Sequence, residues 1–195
     1  MKTFFSLIAL FTFTTTAFAE KEICHFSIEK DSHKVTWTGF KTEKKVGVDG
    51  SFDKVILHFS KNSFTTLESL INGTSFEIDA STVNSKNPER DGKLKNLFFG
   101  KMKTPKITGN VLSVDAATTT AQVSINLNKV KQTIPMTYVV NEGRITLTGS
   151  IEMLKWKLDD SYKAISEACK VLHSGKTWTD VNIKIDAKLD ESCKK

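Results

Sequence analysis

NPERDGKLKNLFFGKMKTP, residues 87–105, predicts a short amphipathic helix between two runs of strand-like sequence. Asn87 is a suitable N-cap residue, and Pro88 falls at the first helical position, where its missing N–H costs no hydrogen bond. The leucines and phenylalanines that follow recur at helical spacing and form one apolar stripe. An isolated helix of this length is unstable in water, so the stripe must cover something. We therefore predict a helix over residues 88–99 that either plugs the end of a β-sheet core or closes a cavity.

Alternating apolar and polar residues predict strands along most of the remaining chain. The alternation is clearest in the last third, and its apolar sets span residues 121–127, 134–140, 145–151 and 181–187. Earlier strand-like runs cover residues 23–28, 35–40, 46–52, 55–59, 75–80 and 107–114. Successive strands with one solvent-exposed face and one buried face are typical of antiparallel sheets. About eight such strands predict an all-β domain, closed as a barrel or paired as a sandwich.

A second short helix is predicted over residues 161–172, where Ile165, Cys169 and Leu172 share one face. The interior of an eight-stranded barrel is just wide enough to be filled by side chains or to hold one slim ligand. The alternation does not distinguish these two outcomes.

The amino terminus has the features of a cleavable secretory signal over residues 1–19, with a charged Lys2, a short apolar stretch and an A-x-A site. One mature domain is then expected over residues 20–195. Loss of Lys2 lowers the formal charge from +6 to +5. Scattered lysines allow a transient contact with an anionic membrane surface. Nucleic acid is excluded as a partner because no recognition motif occurs and the protein is expected to be exported.

Three cysteines make one disulfide and one free thiol the expected arrangement in an oxidising compartment. Cys24 and Cys193 flank the two ends of the mature domain, and the first and last strands of a closed antiparallel barrel pair with each other. We predict a Cys24–Cys193 disulfide, with Cys169–Cys193 as the alternative. Cys169 lies on the apolar face of the second predicted helix, which suits a buried thiol.

Several motifs resemble the YceI-like family of periplasmic polyisoprenoid-binding proteins. Arg90-Asp91, Leu94 and Phe98-Phe99, followed by 104–108, resemble a pattern of R-D-x-H-L, an aromatic pair and Y-P-x-I. Lys93 replaces the usual histidine of that pattern. Gly50-Ser51-Phe52 is similar to the family's G-x-F, and residues 78–83 are similar to its I-x-A-x-S-V strand. The sequence departs most from the family between Trp156 and Trp178.

The resemblance implies a lipocalin-like antiparallel β-barrel, located in the periplasm, whose apolar lumen holds a long isoprenoid chain such as a quinone or polyprenyl tail. It also implies that the protein is not an enzyme and requires no cofactor. The predicted wall of the lumen consists of Phe52, Phe76, Ile78, Leu94, Phe98, Ile125, Met136, Tyr138, Leu147, Ile183 and Ile185. The alternative is a barrel with a filled core and no ligand, acting as a stress-related structural or interaction protein.

No catalytic or metal-binding pattern competes with this interpretation. The chain lacks G-x-S-x-G, and none of its four histidines forms an H-x-x-x-H pair. Arg90 and Asp91 either contact a polar headgroup or brace the first predicted helix, because arginine offers five fixed donors and an aspartate suits the first helical turn. The sequence leaves the identity of the ligand and the oligomeric state open.

Overall fold

The computed structural model describes residues 23–194, so the signal peptide predicted over residues 1–19 lies outside the described residues. The strands are β1 (Ile23–Ile28), β2 (Lys34–Lys41), β3 (Val46–Phe52), β4 (Val55–Phe59), β5 (Thr74–Asp79), β6 (Val83–Asn84), β7 (Lys106–Asp115), β8 (Thr120–Leu127), β9 (Val130–Asn141), β10 (Arg144–Glu152) and β11 (Thr177–Lys194). The α-helices are α1 (Leu67–Asn72), α2 (Pro88–Lys93) and α3 (Asp159–Ala168). The neighbouring strands pair antiparallel throughout.

The strand pairing closes into a ring through two bent strands. The hydrogen-bonded order is β4-β5-β7-β8-β9-β10-β11-β2-β3-β6. The β3–β6 pair at one end of this order lies next to the β4–β5 pair at the other end, because β3 continues into β4 and β5 continues into β6 after a short bend. Hydrogen bonds bridge the bend, since Asp53 N–H donates to Thr82 O at 3.0 Å and Asp79 N–H donates to Lys54 O at 3.1 Å. The structure has eleven strands, slightly more than the predicted number of about eight; counting each bent strand once leaves eight in the barrel, with β1 as an additional strand outside the ring.

The last strand, β11, is long enough to pair with two strands along the same edge. The first part of β11 pairs with β2 inside the barrel, and its last six residues pair with β1 beyond it. Cys24 faces Cys193 in this second register, and the two form the predicted disulfide, with Cα atoms 4.0 Å apart. Cys169 is a buried free thiol, so the alternative pairing is wrong.

The four alternating sets of the last third lie in consecutive, hydrogen-bonded strands, β8 to β11. Val123 and Ile125 are buried, whereas Ile183 and Ile185 are half-buried and face the interior of the barrel. The inward orientation predicted for these strands is therefore confirmed. Val140 is an exception, because it is the second-last residue of β9 and is exposed although it continues the inward set.

Helix α2 begins as predicted, with Asn87 Oδ1 accepting from Arg90 N–H at 2.9 Å and Pro88 at the first position. Its continuation changes pitch. A π-helical turn spans Leu94–Phe98, and a 3₁₀ turn spans Phe99–Lys101. The helical segment therefore ends two residues later than predicted. Its apolar stripe packs against the core at one end of the barrel, with Phe98 buried.

Helix α3 corrects the prediction of a helix over residues 161–172. It starts at Asp159 and ends at Ala168, so the last four predicted positions lie outside it. The backbone turns back over residues 169–175, with Ser174 and Gly175 both at positive φ. Ile165 and Cys169 are buried as expected, but Leu172 is 63% exposed because the turn carries it off the apolar face.

A short helix that the sequence pattern does not indicate closes the opposite end of the barrel. Helix α1 packs beside β7 and β1, and it buries Leu70 and Ile71. Thr66 caps it by accepting a hydrogen bond from Ser69 N–H at 3.1 Å. Helix α1 therefore lies at one end of the barrel, and α2 and α3 lie at the other.

Candidate functional site: an apolar lumen with one polar rim

The barrel encloses a cavity of about 560 Å³. Its wall is built from apolar side chains of the inward-facing strand positions and of the helices at both ends. A volume of this size lies within the range of roughly 300–1,000 Å³ that is typical of small-molecule sites. The interior of the barrel is therefore only partly filled by side chains and leaves a cavity large enough for a small ligand.

Ten of the eleven predicted wall residues line this cavity. They come from six strands and from the π-helical turn, and closure of the barrel brings them around one space. They are Phe52, Phe76, Ile78, Leu94, Phe98, Ile125, Met136, Leu147, Ile183 and Ile185. Contact of these residues with a lipid stays a prediction.

Tyr138 does not line the cavity, which corrects the predicted set. Its side chain is buried in the core near the end of β9, and its N–H donates to Thr119 O at 2.9 Å. Burial raises the pKa of its hydroxyl, with smaller contributions from the carboxylates of Glu68 and Asp115. Glu68 belongs to α1 and Asp115 is the last residue of β7, so Tyr138 lies at the α1 end of the barrel and outside the lumen wall.

A glycine determines how one aromatic ring lies in the wall. The Phe76 ring packs against Gly109 on the neighbouring strand, its direct partner in the β5–β7 register. A Cβ at Gly109 would overlap that ring and the Ser124 carbonyl oxygen. The absence of a side chain at Gly109 therefore leaves the space that the Phe76 ring fills.

The polar residues of the cavity wall concentrate at one end. They come from the end of β2, from helix α2 and from the loop between α3 and β11, and they are Lys41, Asn87, Glu89, Arg90, Lys93, His173 and Thr177. At the α1 end, the wall is apolar apart from Thr74. We call the polar end the rim. The sequence pattern did not predict it, because only barrel closure brings these three segments together.

Arg90 and Asp91 brace helix α2 through one buried serine. Arg90 donates from Nε to Ser85 Oγ and from Nη2 to Ser85 O, both at 2.8 Å. Asp91 Oδ1 accepts from Ser85 N–H at 2.8 Å and from the Ser85 hydroxyl. Of the two roles considered for this pair, the bracing role is the one its hydrogen bonds support, although Arg90 also borders the lumen.

The rim contains an ion pair and a histidine that favours its neutral form. Lys93 Nζ lies 2.8 Å from Glu89 Oε1, and this hydrogen bond lowers the pKa of the carboxyl and raises that of the ammonium. Burial lowers the pKa of His173, and the charges of Lys41 and Lys93 lower it further. His173 Nδ1 is 2.8 Å from Thr177 Oγ1. The positive charges of the rim are therefore Lys41, Arg90 and Lys93, and the lowered pKa of His173 favours its neutral form.

Within residues 23–194, the one group of three close potential metal ligands is Cys24, Glu191 and Cys193. Both of its sulfurs are joined in the disulfide, so they are not free to bind a metal.

None of the helices within residues 23–194 is long and apolar enough to cross a bilayer.

Comparison with protein families matches residues 26–189 to the YceI-like domain. A search of curated proteins gives no match. Among solved structures, Burkholderia cenocepacia BcnA is similar with a TM-score of 0.58 and 14% identity, over 84% of this chain and 99% of BcnA. A polyisoprenoid-binding domain from Saccharophagus degradans, implicated in plant cell wall breakdown, has a TM-score of 0.55 and 17% identity, over 85% of this chain and 97% of that domain. At these identities, the structural likeness establishes the fold.

Proposed function

Because the chain belongs to the YceI-like family over residues 26–189, we propose that it binds the isoprenoid chain of a quinone or polyprenyl lipid in its barrel lumen. The similar domain from Saccharophagus degradans is described as polyisoprenoid-binding, which supports this ligand class. In this proposal the protein sequesters or carries the lipid and performs no catalysis.

The observation that carries the proposal is the continuous apolar cavity of about 560 Å³. Burial of each five-carbon unit contributes very roughly 3–4 kcal/mol before costs, at about 0.8 kcal/mol per CH₂. Ordering of the flexible tail offsets part of that gain. Several units in a preformed lumen suffice for tight binding without a charged contact.

The polarity of the wall supports one orientation of the lipid. The tail would extend toward the apolar α1 end, where Leu70 and Ile71 contribute to the wall. The headgroup would lie at the rim, where Lys41, Lys93 and His173 offer hydrogen-bonding groups at the border of the lumen. A polar headgroup buried at the α1 end would lose hydrogen bonds to water without comparable replacements.

We also propose that the protein acts in the periplasm after removal of residues 1–19. The secretory features of that segment support export. The Cys24–Cys193 disulfide supports an oxidising compartment, because such bonds persist there and are rare in the cytosol.

Native mass spectrometry of protein purified without detergent, followed by organic extraction, tests the proposed function. We expect a bound apolar molecule that contains isoprenoid units and is released on unfolding. The matched control is Ile125→Trp, which projects a larger side chain into the lumen and should purify without the lipid. Wild-type protein that neither carries nor binds quinones or polyprenyl lipids would refute the proposal and favour a structural or interaction role.

A further inference from the structure

We propose that the rim docks on an anionic bilayer by inserting Val171 and Leu172 between the headgroups, so that the lumen opens onto the membrane. This inference rests on the proposed function, because it describes how a membrane lipid would reach the lumen. It concerns the loop between α3 and β11, in the region where the sequence departs most from the resembled family pattern.

Two adjacent apolar side chains project into solvent at this loop. Val171 is 92% exposed and Leu172 is 63% exposed, so both are far more exposed than an ordinary apolar side chain of a folded domain. No neighbouring element within the described chain covers Val171. Apolar residues at the tip of a loop are suited to shallow insertion into a membrane interface.

The loop holds this apolar pair in one fixed shape. His173 N–H donates to Cys169 O at 2.9 Å, Ser174 N–H donates to Val171 O at 3.2 Å, and Gly175 N–H donates to Lys170 O at 2.8 Å. These bonds close successive turns behind the two side chains. Insertion therefore requires little ordering of the backbone, which reduces the entropic cost of docking.

Aromatic and basic side chains cluster where the loop joins β11, in the combination found at membrane interfaces. The Trp178 ring lies between Lys45 Nζ at 4.8 Å and Lys176 Nζ at 4.7 Å from its centroid, and Lys45 also lies 5.0 Å from the Phe40 ring. Trp178 Nε1 donates to Thr42 O at 2.8 Å, which ties the start of β11 to the β2–β3 turn. Tryptophan is enriched at the headgroup level of bilayers.

The charge around the pair favours an anionic surface. Five lysines and three carboxylates lie in the segments 41–45, 167–176 and 180 around the loop; the lysines are Lys41, Lys44, Lys45, Lys170 and Lys176. Helix α2 adds two positive and two negative side chains to the rim, so the excess of positive charge comes from the other segments. Glu167 pairs with Lys170 and Asp180 pairs with Lys45, whereas Lys41, Lys44 and Lys176 form no salt bridge within the described residues. Juxtamembrane lysines are attracted to anionic leaflets.

The docking surface is continuous with the lumen. Leu172 and His173 of the loop line the cavity, as does Trp178 at the start of β11. A bilayer that covers Val171 and Leu172 therefore lies directly over the rim. The isoprenoid tail of a membrane lipid could enter along the apolar side of the loop without crossing bulk water. This continuity favours a membrane over a protein as the occupant.

Sedimentation with vesicles tests the proposal, using vesicles of phosphatidylglycerol and phosphatidylcholine in equal parts against vesicles of phosphatidylcholine alone. The test variant is Val171→Ser/Leu172→Ser. The matched control is Val139→Ser/Val140→Ser, an adjacent apolar pair that is 63% and 44% exposed on β9, next to the acidic Glu142 and away from the rim lysines. We expect the wild type to bind the anionic vesicles more strongly at low salt.

The test variant should lose at least about tenfold in the partition coefficient, since burial of a valine and a leucine contributes more than one factor of ten. The control variant should bind as the wild type does. Equal partition of all three proteins, or equal loss in both variants, would overturn the proposal. Binding of geranylgeraniol in solution is measured in parallel. If none of the three proteins binds geranylgeraniol, the proposed function is refuted. If vesicle binding nevertheless depends on Val171 and Leu172, the proposed membrane-docking surface is still supported.

Discussion

The Trp37 indole packs over Gly50, its direct partner across the β2–β3 pair, and a Cβ at Gly50 would overlap the six-membered ring. Trp37 lines the lumen, so the absence of a side chain on one strand sets the position of an aromatic ring in the cavity wall. Its Nε1 atom is buried and has no hydrogen-bond partner within the described chain. The position of the ring is therefore determined by packing.

Gly50→Ala should displace the Trp37 indole and destabilise the barrel by about 1–3 kcal/mol, the usual cost of overpacking a well-filled site. Urea denaturation and near-ultraviolet circular dichroism measure the two effects. The displaced ring would also enter the lumen and weaken binding of an isoprenoid tail.

Gly92→Ala is the matched control for that substitution. No atom lies within 4 Å of a Cβ at Gly92, which is within helix α2. Alanine should stabilise this helix by about 0.5–1 kcal/mol. Equal effects of the two substitutions on stability would contradict the packing argument.

Ile125→Trp or Leu147→Trp should reduce tail binding sharply while far-ultraviolet circular dichroism stays unchanged. Both side chains line the lumen, so a larger ring takes up space that the tail requires. Titration with a fluorescent isoprenoid analogue measures the loss. Val139→Trp, at an exposed position of β9, is the control and should bind normally. Unchanged affinity in a folded lumen variant would place the ligand elsewhere.

Cys24→Ser/Cys193→Ser should lower the free energy of unfolding by about 2–5 kcal/mol, because the disulfide links residues far apart in the chain and restricts the unfolded state. Thermal unfolding with and without reductant provides an internal control. Reductant should lower the Tm of the wild type and leave the double variant unchanged. A Tm of the wild type that does not respond to full reduction would contradict the expected stabilisation.

Asp186→Asn should destabilise the protein near pH 7 and have progressively less effect in acid. Burial raises the pKa of Asp186, but hydrogen bonds from Arg144 and Thr146 outweigh it and lower the pKa overall. A lowered pKa contributes stability above the unfolded value of about 3.9, and that contribution is lost as the pH falls through the folded pKa.

Urea denaturation at pH 7, 4 and 3 measures this dependence. Asp190→Asn, at an exposed position of the same strand, serves as the control. A stability difference between the wild type and Asp186→Asn that is constant over this range would show that the carboxylate charge is not its cause.

Local patterns predicted the features that depend on near neighbours in the chain. Asn87 and Pro88 predicted the start of α2, because capping is a property of one helical turn. The alternation in β8 to β11 predicted which side chains face inward, because successive residues of a strand point to opposite faces. The terminal positions of Cys24 and Cys193 predicted their pairing once a closed barrel was expected.

Alternation specifies the face of a sheet and not the depth along a barrel axis. Tyr138 follows Met136 on the same inward face, yet Met136 lines the lumen and Tyr138 packs in the core at the α1 end. Tyr138 lies two residues further along β9 than Met136, so the two side chains differ in their position along the barrel. Leu172 likewise continues the helical pattern, but α3 ends at Ala168 and the chain turns over residues 169–175, so Leu172 leaves the apolar face of the helix.

The sequence alone determined an antiparallel all-β domain, the inward-facing residues of its last strands and the preferred Cys24–Cys193 pairing, because these follow from local periodicity and from the positions of the chain ends. The barrel, as opposed to a sandwich, was implied by the family resemblance and is established by the strand pairing. Only the tertiary structure decided that a cavity remains inside, that Lys41, Lys93 and His173 meet at one rim, and that Val171 and Leu172 project beside it. These features join segments more than 50 residues apart, so they depend on how the barrel closes and on the volume its side chains leave unfilled.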